Sequence, residues 1–151
     1  MDKPILRRPT IVDGFFYPDN EEQLSSQVKS SLAAFGVEKG ESPFALISPF
    51  ASYTYASQIF AASYSQIIDE VYDCVVIISP IHKMSFRGIA LSESDCFNTP
   101  LGDLYIDKEA NSFLNNYNSE YFFYEEKYHL QEHSIEIQLP YISTVLGENT
   151  K

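Results

Sequence analysis

The sequence predicts an α/β domain with a mainly parallel central sheet flanked by helices, and three observations carry the prediction. Residues 44–48 (FALIS) and 74–78 (CVVII) are short, continuous apolar runs that each lead into a Ser-Pro corner. Runs without polar alternation suit strands covered on both faces. Between them, residues 55–68 are helical in character, with Ile59, Ala62 and Gln66 or Ile67 following one another by three or four. Strand, helix, strand in this order defines a right-handed crossover between parallel strands.

Taken in order, residues 1–18 form an N-terminal arm holding Pro4, Pro9 and Pro18 and the aromatic cluster Phe15, Phe16 and Tyr17. Residues 19–151 make up the domain proper. Asn20 caps the first helix with Gln23 in capping-box spacing, Leu24, Val28, Leu32 and Phe35 line one face, and Gly36 ends it. A polar loop over 38–42 leads into the first apolar run. After the second run, 88–92 reads as a strand, 98–102 (NTPLG) as a turn and 103–106 as a short strand. Asp107 caps a helix carrying Ala110, Phe113, Leu114 and Tyr117 on one side. Residues 121–124 read as a strand and 132–146 as a final helix, in which Pro140 removes a backbone donor and predicts a kink or a late start. The chain stops directly after that helix, where a parallel α/β architecture expects a further strand.

Composition narrows the function classes. With 151 residues the chain is one domain able to bury a core, and 44% hydrophobic and 15% aromatic residues exclude general disorder. The formal charge of −11, from 21 acidic and 10 basic side chains, repels phosphate backbones, so nucleic acid is not expected as a partner. No apolar run reaches transmembrane length and the N-terminus lacks the apolar core of a signal peptide, so no membrane association is expected. Cys74 and Cys96 form neither a CxxC pair nor a disulfide framework, which points to a cytoplasmic protein.

The chemistry-bearing residues are few. His82 lies just past the second apolar run, level with the Pro49 corner, where α/β proteins place ligand sites; a loop histidine that is merely solvated or hydrogen-bonded fits equally. His129 and His133 are four apart and could share a metal if both were helical, and His133 with Glu136 has the spacing of carboxylate metal sites. Helix capping by Glu132 or Ser134 explains part of that pattern. No nucleophile elbow and no glycine-rich phosphate loop is present. The aromatic clusters at 15–17 and 121–128 read as packing.

Five segments in order, RRPTIVDGFFYP, LISPFASYTYAS, VVIISPIHK, FNTPLGDLYID and EHSIEIQLPYI, make the chain resemble the Memo-like family, also called the B component of the AmmeMemoRadiSam system. The resemblance runs from Arg7 to Leu146. It implies the first half of a fold similar to the class III extradiol dioxygenases of LigB type. Members with intact motifs carry PHAGY after the first strand and GPxHH after the second, with a metal held by one histidine from each motif and a further ligand from the second half. Here Phe50 replaces the first histidine, Ser52 the glycine, Ser79 the glycine of the second motif and Lys83 its second histidine, while His82, Glu132, His133, Ser134 and Glu136 match.

A phenyl ring cannot coordinate a cation and an adjacent ammonium disfavours one. The resemblance therefore implies a non-catalytic binding or assembly module, without a cofactor, whose former pocket is lined by Pro49, Phe50, Ser52, Tyr53, Ser79, His82, Lys83 and Glu136. His82, His133 and Glu132 remain as candidate catalytic groups, and His82 is the one candidate metal ligand. The alternative is a metal-dependent or acid/base enzyme whose iron, copper or zinc site is completed by another chain. The partners expected are a second copy or a chain supplying the C-terminal half. A small-molecule carrier with aromatic side chains in the cleft is a third reading.

Overall fold

The computed structural model describes residues 3–35 and 42–147. Among them the element order is β1 (Arg7–Arg8), α1 (Glu21–Ala34), α2 (Tyr53–Tyr64), β2 (Ile89–Leu91), β3 (Cys96–Thr99), β4 (Gly102–Tyr105), α3 (Lys108–Tyr117), β5 (Phe122–Tyr124), α4 (Glu126–His129) and α5 (Leu139–Leu146). This is a mixed α/β structure with small sheets. No helix is long and apolar enough to cross a membrane among the described residues.

The core sits where α1, α2 and α5 pack together. Asn20 starts α1 as expected, its Oδ1 accepting the Gln23 N–H at 3.0 Å and so satisfying one of the helix's orphan donors. Leu24 and Val28 are fully buried and Leu32 packs on the core's edge, but Phe35 is exposed because it is the cap residue of a helix that ends at Ala34. Gly36 and most of the loop at 38–42 lie outside the described residues.

α2 starts two residues earlier than the periodicity indicated, and its inward face is Tyr53, Ala56, Phe60, Ala61 and Tyr64. Ile59, expected inward, is exposed. The aromatic rings decide the rotation, because each buries more apolar area than an isoleucine. Tyr53, Phe60 and Tyr141 meet pairwise at centroid distances of 5.1 to 5.2 Å, and Tyr64 stacks on Tyr141 at 5.4 Å.

The final helix takes the late start. A 3₁₀ turn over Glu136–Gln138 precedes α5, and Pro140 falls in the first two helical positions, where its missing N–H has no helical partner to lose. Gly147, with φ of 79°, caps the end in a conformation suited to glycine.

The sheets are smaller and more mixed than the expected parallel one. β1 pairs parallel with β3, and β3 pairs antiparallel with β4 through a tight turn at Pro100 and Leu101. The arm therefore contributes a strand, and Asn98 and Thr99, expected in the turn, belong to β3. β2 and β5 pair in parallel, Ile89 opposite Phe122, close to the expected positions. Asp107 caps α3 by accepting the Glu109 and Ala110 N–H groups at 3.0 and 2.9 Å. Phe113 and Tyr117 nevertheless face solvent, since no residue of α3 is buried.

The largest correction concerns 44–48 and 74–78. Neither segment forms a sheet ladder, and neither is covered on both sides. Leu46, Val75 and Ile77 pack on the helical core, whereas Ile47, Val76 and Ile78 stand in solvent. The helices cover one side of this layer, and the other is bare.

Candidate functional site

Residues 132–138 stitch the two Ser-Pro corners to each other. Gln138 Nε2 donates to the Pro49 carbonyl at 3.0 Å, and Gln138 Oε1 accepts from the Tyr64 hydroxyl at 2.9 Å. The Ser134 hydroxyl donates to the Pro80 carbonyl at 3.2 Å and accepts the Ser79 hydroxyl at 2.7 Å. This brings Phe50, His82 and His133 side by side although they lie far apart in sequence.

Glu132 organises that corner. Its Oε2 accepts the His82 backbone N–H at 2.8 Å and lies 3.0 Å from His82 Nδ1, while Oε1 accepts the His133 and Ser134 N–H groups at 2.9 and 3.0 Å. Burial alone would raise its pKa, but the His82 bonds and the two further backbone donors outweigh it and lower the value to about 2. An ionised carboxylate only accepts, so the His82 Nδ1 that faces it carries a proton. His82 is half exposed.

Phe50 occupies the space against both imidazoles. Its ring stacks on His82 at 4.6 Å and 11° and lies 5.0 Å from His133. Phe16 closes on His133 from the arm at 4.7 Å, edge-on. Burial lowers the His133 pKa; Glu132 and Glu136 oppose this, and the charges of Lys83 and Arg8 reinforce it. His133 is therefore neutral near pH 7, and its buried Nε2 has no hydrogen-bond partner.

Beneath lies a buried ion pair. The Arg8 guanidinium and Glu136 carboxylate are both fully buried and bonded to each other. Arg8 also donates to the carbonyls of His129 and Glu132 at 3.0 and 2.6 Å, and Phe97 lies under it at 5.3 Å. Glu136 accepts the Tyr17 hydroxyl at 2.6 Å and the Ile11 and Val12 N–H groups. Burial would raise the Glu136 pKa, and the Tyr17 and Arg8 bonds hold it below the usual carboxylate range. Burial and the Glu136 contact push the Tyr17 hydroxyl strongly upward, so it remains a donor.

The remaining candidates fall around this corner rather than in it. Ser52 is the cap position of α2 without a side-chain cap bond, and Tyr53 is buried in the core with its hydroxyl on the Ile137 carbonyl at 2.7 Å. Lys83 is exposed. His129 does not join His133 on one helix: it ends the short α4, its Nε2 lies 3.2 Å from the Ala90 carbonyl, and burial lowers its pKa. Ser79 and Glu132 line a cleft of about 210 Å³ with apolar walls that include Ile77, Phe86, Ile89 and Tyr128. Sequence reasoning missed Arg8 and Tyr17. The acidic Glu136 inside the apolar run IEIQLP was the available signal, because a buried carboxylate demands a cation or several donors.

The residues at the corner do not fit a metal ion. The Phe50 ring, stacked on the face of His82 and set beside His133, has no lone pair to give, so the corner lacks a ligand there. No group of three His, Cys, Asp or Glu side chains among the described residues is arranged to hold one.

A family described as Memo-like protein matches residues 7–151. A "MEMO1 family protein" of Desulfurococcus amylolyticus is 33% identical over 96% of the chain and 54% of that protein. One of Nitrosopumilus maritimus is 30% identical over 97% of the chain and 54% of that protein. A "Protein memo-1 homolog" of Caenorhabditis elegans is 33% identical over 89% of the chain and 38% of that protein. The chain spans about half the length, or less, of these curated relatives.

Proposed function

Since the chain belongs to the Memo-like family, we propose that it is a non-catalytic member of that family, a binding or assembly module that works without a metal. The carrying observation is the Phe50 ring packed against His82 and His133. A hydrocarbon there supplies no ligand, and the nearby Lys83 charge adds repulsion. The five ordered motifs support a LigB-like arrangement, of which this chain carries the first half. Two unpaired cysteines support a cytoplasmic setting.

Calorimetric titration of the purified chain with iron(II), copper(II) and zinc(II) tests the proposal. The expected result is no saturable heat at a 1:1 ratio and no rise in Tm; tight binding of one ion that His82→Ala abolishes would overturn it.

A second reading is favoured by one specific observation. Glu132 holds His82 with Nε2 outward, the orientation a carboxylate gives a metal-ligating imidazole. On that reading the module descends from a dioxygenase-like enzyme, and a partner chain supplying the C-terminal half restores a metal or acid/base site at His82, His133 and Glu132. Metal uptake that appears only with such a partner would favour it.

A further inference from the structure

Arg8 supplies to residues 129–136 the donors that a regular helix would have supplied. In a continued α4 the His129 carbonyl would accept the His133 N–H, but that N–H goes to Glu132 Oε1 at 2.9 Å. Arg8 Nε takes its place on the His129 carbonyl at 3.0 Å, and Nη2 donates to the Glu132 carbonyl at 2.6 Å. Nη1 meets Glu136 and the Pro9 carbonyl. The planar fork of a guanidinium fixes the spacing of these acceptors, which an ammonium, a single point of charge, cannot do. Glu132 is thus pinned by Arg8 through its backbone while its carboxylate accepts the His82, His133 and Ser134 N–H groups.

The rest of the arm converges on the same segment. The Ile11 N–H, the Val12 N–H and the Tyr17 hydroxyl all donate to the Glu136 carboxylate, at 2.9, 3.0 and 2.6 Å. Phe16 lies edge-on against His133. Residues 8–17 therefore cross 129–136 as a strap whose latch is one buried carboxylate. The helices are tied to one another by contacts of their own: the Tyr141 hydroxyl donates to the Ser57 carbonyl at 3.1 Å and lies 2.8 Å from the Ser31 hydroxyl, and Leu24, Val28 and Phe60 are buried among them. The strap reaches that core through Val12, Tyr17 and the Phe16 carbonyl, which accepts the Tyr53 N–H at 2.7 Å. A segment held mainly by hydrogen bonds to one group opens at lower cost than the apolar core it lies on.

We propose that this strap and the corner open and close as one unit, short of global unfolding, and that closing the strap is what seats Glu132 on His82. Opening withdraws Phe16 from His133 and releases the carboxylate that holds His82, so the state of the arm sets access to both imidazoles. Arg8 is the positioning residue of the corner and acts through the Glu132 carbonyl. The proposal goes beyond the metal-free reading and stands with either answer to it.

Native-state hydrogen exchange on the 151-residue chain, followed through low urea, tests it. The Arg8 Nε–H and the Ile11 and Val12 amides report on the arm, the His82, His133 and Ser134 amides on the corner, and the Val28 and Phe60 amides on the helices. Arm and corner should share one opening free energy and one urea slope, both below those of the helices. Arg8→Lys keeps the charge and loses the fork, and should speed exchange at the corner amides by about tenfold or more while the helix amides hold. Arg7→Lys, at the half-exposed partner of Asp103, should leave the corner unchanged. Arm and corner amides that open separately, corner amides that exchange only with the helices in global unfolding, or unchanged corner exchange in Arg8→Lys each overturn the proposal. If Arg8→Lys does not fold, the exchange pattern of the parent chain decides alone.

Discussion

At position 50 a phenyl ring stands where the family resemblance leads one to expect a histidine, and neighbouring side chains pack around it. His82 stacks on it and Phe16 packs beside it at 6.4 Å. Phe50→His therefore removes packing and supplies one imidazole beside Lys83. The expected outcome is no tight metal binding, checked by titration of the variant; strong binding would show that the other ligands are already in place.

Glu136 tests the buried pair. Glu136→Gln leaves the Arg8 guanidinium buried without its counter-charge and should cost about 3 kcal/mol or more, read from the urea midpoint. Arg8→Met combined with Glu136→Leu should cost less than either change alone, because it removes both charges. The acid limb follows from the same residues. Glu132 is held at about 2, against a usual 4.5. Its contribution is thus complete above about pH 4.5 and lost as pH falls toward 2. Glu136 is also lowered, with the same sign. His129 and His133 are lowered by burial and are favoured neutral, so stability also begins to fall as pH drops below about 6.5. Denaturation midpoints across pH 2–7 should show both stages, and Glu132→Gln should flatten the lower one.

At the scale of elements, the parallel β2–β5 pair depends on a close backbone approach. Gly88 has φ of 111°, and a Cβ there would sit 2.5 Å from the Tyr121 carbonyl oxygen. Gly88→Ala should therefore destabilise by more than about 1 kcal/mol, with faster exchange at the Ile89 amide, which donates to that same carbonyl at 2.7 Å.

Caps and turns were legible because they are local. Asn20, Asp107 and Pro140 each act within one helical turn, and all three mark helix starts in the structure. Pairings over long separations were not legible. β1 joins β3 across the chain, and nothing near Arg7 announces it. Ile59 misled because its periodicity competed with three aromatic rings whose packing is tertiary. The corner's residues were readable by type, since His82, Glu132 and His133 stand out in sequence, but the buried Arg8 and Tyr17 were not. An arginine in an arm reads as solvated until the carboxylate it meets is known.

At the scale of the whole molecule, the apolar segments 44–48 and 74–78 are covered by the helical core on one side only. The helical side is well packed, with Phe60, Leu24 and Val28 fully buried, while Ile47, Val76 and Ile78 remain exposed. FALIS and CVVII predicted cover on both sides, and the structure supplies it on one.

On the reading proposed above, Phe50 has put packing in place of a metal ligand. Elemental analysis of the purified chain alone, beside its His82→Ala variant, addresses it most directly. No stoichiometric iron, copper or zinc is expected in either protein. One ion per chain in the parent, absent from His82→Ala, would contradict it.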